Sequence, residues 1–68
     1  MVIREDVLYR KILNLVTKSD EPLETKEIGN TLKSTRIMIL YRLYNLRGDG
    51  RIKGKQVGSG KGAWIWWI

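Results

Sequence analysis

The 68-residue sequence predicts a small α+β domain, three helices followed by a β-hairpin, and three observations carry that prediction. Two apolar stripes at helical spacing, Ile28 with Leu32 and then Ile39 with Leu43 and Leu46, flank the polar break Lys33-Ser34-Thr35. The triplet Gly48-Asp49-Gly50 stops the second stripe. Two extended segments then follow, joined by Gly58-Ser59-Gly60-Lys61-Gly62, which is the pattern of a hairpin with a glycine-rich tip. At this length only about 60% of the unfolded surface can be buried, so residues 1–68 form one domain around one small core.

The first helix is expected from about Arg4 to Thr17. Leu8, Ile12, Leu15 and Val16 lie along one side, Val7 and Leu13 broaden it, and Tyr9, Arg10 and Asn14 keep to the polar side. Glu5 and Asp6 sit where negative charge meets the positive end of the helix dipole. Pro22 disfavours helical backbone in the residue before it, so Ser19-Asp20-Glu21-Pro22 ends the helix. Leu23 marks a very short extended segment, and Thr25 is placed to cap the second helix. Gly29 keeps that helix small where another approaches, at about 1 kcal/mol in helix propensity.

The third helix is expected from Thr35 to Arg47. Its side opposite the core stripe shows Arg36, Ile37, Tyr41, Tyr44 and Asn45, with Met38 and Arg42 alongside, and an exposed patch so rich in apolar and aromatic groups usually has a partner. The segment from Arg51 to Val57 alternates loosely as the next strand. In the last strand both faces are apolar, Trp64, Trp66 and Ile68 on one and Ala63, Ile65 and Trp67 on the other. A chain of this size has no second layer to cover both faces. A homodimer closed through this strand, with Trp64, Trp66 and Trp67 as contacts, or through the first helix, is therefore expected.

Composition excludes several kinds of chemistry. Cysteine and histidine are absent, which removes thiolate nucleophiles, disulfides, zinc ribbons and the usual proton shuttle at neutral pH. No serine has a base partner, and the four glutamates and three aspartates are spread over exposed helical or loop positions, so no enzyme, metal, cofactor or small-molecule substrate is expected. The Gly-x-Gly-x-Gly run fits no nucleotide-binding spacing and leads into a strand, not a helix. No apolar run approaches the ~20 residues that span a bilayer. The beginning of the chain is too charged for a signal peptide, so a cytoplasmic location without membrane contact is expected.

The net charge of +6 is unevenly placed. Residues 1–32 carry five bases against six acids, a balance of −1, whereas residues 33–68 carry eight bases against Asp49 alone, a balance of +7. A surface built only for solubility would mix both signs. A field of one sign over the third helix and the hairpin is the footprint expected for a polyanion.

Ile28-Gly29, Leu32, Lys33, Thr35, Ile39, Leu43, Leu46 and Gly50-Arg51-Ile52 fall without a gap on a pattern that resembles the winged-helix branch of the helix-turn-helix families. Lys33 departs from it, standing where a glycine usually takes positive φ. The resemblance implies a basic regulator or architectural protein that binds double-stranded DNA and acts in transcription. Its third helix would enter the major groove with Arg36, Ile37, Tyr41, Arg42 and Asn45 toward the bases. Phosphates would be held by Thr25, Lys26, Lys33, Ser34 and Thr35, and on the wing by Lys53, Lys55 and Lys61.

A narrower resemblance is to the Z-alpha branch, which recognises left-handed duplex: Leu43-Tyr44-Asn45-Leu46 and Trp64 or Trp66 are similar, but Leu40 and Gly62-Ala63 stand where that branch has an asparagine and a proline pair. Two alternatives stay open. Winged helices also serve as protein-interaction modules in larger assemblies, for which Ile37, Met38, Tyr41 and Tyr44 would suit a groove, and RNA could stack on Tyr41 and Tyr44.

Overall fold

The computed structural model describes residues 6–58 and 63–68. Three helices pack on one face of a three-stranded antiparallel sheet: α1 Val7–Lys18, β1 Leu23–Glu24, α2 Thr25–Leu32, α3 Arg36–Gly48, β2 Lys53–Gln56 and β3 Trp64–Trp67. The expected start of α1 at Arg4 and the hairpin tip at Lys61 lie outside the described residues. No helix among the described residues is long and apolar enough to cross a membrane.

Each helix starts where a side chain satisfies its free N–H groups. Asp6 caps α1 by accepting from the Tyr9 N–H at 2.8 Å. Thr35 caps α3 by accepting from the Met38 N–H at 3.4 Å. At α2 the cap is Glu24, one residue earlier than expected, in a capping box in which the Glu24 N–H donates to Glu27 Oε1 at 2.9 Å. Thr25 is thereby drawn into the helix and buried. The turn between α2 and α3 closes with the Ser34 N–H donating to the Gly29 carbonyl at 3.0 Å. A Cβ on Gly29 would stand 3.3 Å from the Ser34 carbonyl oxygen, so the small residue is needed there. Lys33 takes the left-handed conformation itself, at φ 54 and ψ 45.

The core consists of Tyr9, Ile12, Val16, Ile28, Ile39, Leu43, Leu46, Ile52 and Trp66. Both helical stripes read from the sequence thus point inward. Two residues of α1 differ from expectation. Val7 is exposed, while Tyr9 is buried because its hydroxyl donates to Asp49 Oδ2 at 2.5 Å beyond α3 and so enters the core with its polar atom satisfied.

In the sheet β3 lies between β1 and β2. Leu23 and Glu24 pair with Trp66 and Ile65. Lys53, Gly54, Lys55 and Gln56 pair with Trp67, Trp66, Ile65 and Trp64. Trp66 is fully buried and its indole Nε1 donates to the Thr25 hydroxyl at 2.9 Å. Above it Gly54 is obligatory, since a Cβ would lie 2.4 Å from Trp66 Cε3 and Cζ3. This fixes the parity of the sheet: Trp64, Trp66 and Gly54 face the helices, and Ile65, Trp67, Lys53 and Lys55 face away.

Candidate nucleic-acid interface

The exposed side of α3 is built by helical spacing. With Ile39, Leu43 and Leu46 inward, Ile37, Tyr41 and Tyr44 form the outermost line. Ile37 is 77% exposed. Together with Leu40, Asn45, Gly48 and Asp49 these residues line a shallow groove of about 750 Å³. Arg36 and Arg47, about three turns apart, share one edge of that line, the edge toward the sheet.

Trp64 joins this edge to the rest of the surface. Its ring stacks on Trp66 at 5.3 Å between centroids, meets Tyr44 edge to face at 6.1 Å, and has the Arg47 guanidinium above it at 5.4 Å. On its other side Trp64 forms the wall of a cleft of about 370 Å³ with Lys26, Asn30, Ser34 and Arg36, between α2 and the start of α3. Exposed Lys33 stands on the turn beside it. One continuous surface therefore carries Lys26, Arg36 and Arg47 around an aromatic pair.

Several residues expected at this interface lie elsewhere. Arg42 is only 14% exposed and is turned toward α1, where its Nη2 and Nε donate to the two carboxylate oxygens of Asp6 at 2.8 and 3.3 Å and its Nη1 donates to the Met38 carbonyl. It is a tie between α3 and the α1 cap, not a base reader. Asp6 responds in kind: the Arg42 hydrogen bonds first, and the Tyr9 N–H second, lower its carboxyl pKa from 3.8 to about 2. Asn45 is half-buried and donates its amide to the Tyr41 carbonyl at 2.7 Å.

Thr25 holds no phosphate, because its hydroxyl is buried under Trp66, and Glu24 with Glu27 already occupies the start of α2. Of the expected dimer contacts, Trp66 is core and Trp64 faces the helices; Trp67 alone is on the outer face. Lys53 and Lys55 extend from the sheet face turned away from the helices, since the alternation places Gly54 and Gln56 inward. Lys61 lies outside the described residues. Arg36, Ile37 and Tyr41 stay on the exposed side of α3, and Lys26, Lys33, Ser34 and Thr35 border the cleft or its turn.

Among Arg47, Tyr44 and Trp64, only Arg47 carries no role in the sequence reading; Tyr44 is read there as a protein or RNA contact and Trp64 as a dimer contact. Spacing supplied a signal for Arg47, eleven residues after Arg36 and hence on the same edge of a helix. No family model matches this chain, and no curated protein is similar enough to it to count as a relative.

Proposed function

We propose that this domain is a winged helix-turn-helix that binds double-stranded DNA, with α3 and the Trp64 cleft against the duplex and phosphate contacts supplying most of the affinity. The observation that carries this reading is the grouping of Lys26, Arg36 and Arg47 around Trp64, with Lys33 beside them. Arg36 is the charged side chain left to pair with a base edge, and Ile37 can touch a thymine methyl. With Arg42 held by Asp6 and the Asn45 amide turned to its own helix, few base readers remain. Sequence preference should therefore be weak, which suits an architectural protein or a regulator whose selectivity comes from assembly.

Anisotropy titration of a mixed-sequence duplex tests this. Three phosphate contacts from Lys26, Lys33 and Arg47, at about 0.9 each, give a log–log salt slope near −2.7. Arg36→Ala with Arg47→Ala should bring the slope to about −2. A slope near zero, or one unmoved by the double substitution, would overturn the assignment.

A second reading, binding of left-handed duplex, has one observation in its favour: Tyr44 and Trp64, two residues that carry that resemblance, meet edge to face on this surface. Addition of the protein to an alternating dC-dG duplex would then invert the circular dichroism of the DNA. An unchanged right-handed spectrum at saturation eliminates this reading and leaves the first intact.

A further inference from the structure

We infer that the outer face of the sheet binds the same face of a second copy of this chain, across a two-fold axis parallel to β3. This is independent of the proposed DNA binding, which uses the opposite side of the sheet.

The outer face is divided into three bands by the strand register. Ile65 and Trp67 form an apolar centre on β3, with Ile68 exposed at its end. Lys53 and Lys55 form a basic border on β2. Asp20 and Glu21, before β1, form an acidic border across a concavity of about 480 Å³ whose lining also includes Ile65, Trp67 and Lys55. Among the described residues these four charged side chains make no ion pair.

Such a face is complementary to itself in one orientation. A two-fold axis along β3 exchanges the borders, so the acids of one copy meet the lysines of the other while Ile65 and Trp67 pack centre on centre. An axis across the strands stacks like charge on like, which costs several kcal/mol. An acidic peptide would satisfy the lysine border and leave Asp20 and Glu21 unmatched, and an anionic lipid surface would be repelled by them. A second copy satisfies both borders together.

Two strands of four residues and one of two, about 4.8 Å apart, present roughly 160 Å². That is about a fifth of the ~800 Å² per partner in a standard interface, so the dimer is weak and salt-sensitive, with a Kd on the order of 100 μM.

Sedimentation equilibrium of the full chain tests the inference. At about 0.5 mM protein and low salt the mass should climb from 7.9 kDa toward twice that value, and salt should reverse it. Two variants, Lys53→Glu/Lys55→Glu and Asp20→Lys/Glu21→Lys, should each associate with themselves at least ~10-fold more weakly, because each then meets its own charge. Circular dichroism checks that both keep the fold.

An equimolar mixture of the two should associate again, within about threefold of wild type, since opposite borders now meet in both places. A wild-type monomer at the highest concentration overturns the inference. So does a dimer indifferent to both variants, which would place the contact elsewhere, such as on α3. A mixture that fails to associate overturns the two-fold arrangement, and loss of DNA affinity in Lys53→Glu/Lys55→Glu without a change in mass assigns the lysines to nucleic acid instead.

Discussion

Replacing Thr25 by valine isolates one hydrogen bond at the centre of the domain. The Thr25 hydroxyl accepts from Trp66 Nε1 at 2.9 Å; Trp66 is fully buried and Thr25 is 6% exposed. Among the described residues no buried side-chain nitrogen or oxygen lacks a partner, so Thr25→Val would create the first such orphan. Valine matches threonine in shape, and the expected cost is that of an unsatisfied buried donor, about 1–3 kcal/mol. Thr25→Ser keeps the acceptor and loses a methyl group, worth about 0.8 kcal/mol.

For a domain of this size 1 kcal/mol moves Tm by about 4–8 °C, so a loss of 2 kcal/mol in the valine variant lowers Tm by about 8–16 °C. Urea unfolding followed by tryptophan fluorescence gives both free energies, and exchange of the Trp66 indole proton reports the bond directly. If valine proved no more damaging than serine, the hydrogen bond would not be what holds Trp66. Duplex affinity of Thr25→Val, measured below its melting temperature, should match wild type, because this hydroxyl does not reach a phosphate.

Three further outcomes follow from the same geometry. Gly54→Ala drives a methyl group to within 2.4 Å of a tryptophan that is itself stacked on Trp64, and should cost about 1–3 kcal/mol with a red-shifted fluorescence. Lys33→Gly relieves the left-handed backbone at φ 54 and should raise stability by about 1 kcal/mol in urea. The same change should lower the magnitude of the salt slope by about 0.9 as one phosphate contact is lost. The Asp6 carboxyl is lowered in the folded state, from 3.8 to about 2, so its contribution is complete above pH 3.8 and lost as pH falls toward 2. Asp6→Asn keeps an N-cap residue but should flatten the dependence of Tm on pH in that window.

Elements governed by local rules were legible in the sequence. The inward stripes of α2 and α3, the stop near Gly48, the short strand at Leu23 and the two-faced β3 all stand where periodicity and turn chemistry put them. What was not legible depended on partners far along the chain. Arg42 reads as an exposed helix cation until Asp6, 36 residues away, takes it. Tyr9 reads as surface until Asp49 accepts a hydrogen bond from its hydroxyl.

The parity of β2 was hidden for a different reason. Lys53-Gly54-Lys55-Gln56 has no apolar residue to mark its inner side, and that side is marked by a missing side chain, the gap under Trp66. A pattern read from hydrophobic residues cannot register an absence. This is why Lys53 and Lys55 read as neighbours of α3, whereas the register puts them on the outer face.

The placement of β3 bears on how this chain avoids aggregating. Ala63-Trp64-Ile65-Trp66-Trp67-Ile68 has no charge and no proline, and is rich in the aromatic and branched residues of cross-β assembly. Left at a border of the sheet, it would offer a row of open backbone groups to any identical strand. Here β3 is paired along all four residues by a β2 that alternates lysine with glycine and glutamine, and at Ile65 and Trp66 by the two residues of β1. The rim that faces solvent is thus cationic and poor in β-forming residues, an unfavourable template for further strands.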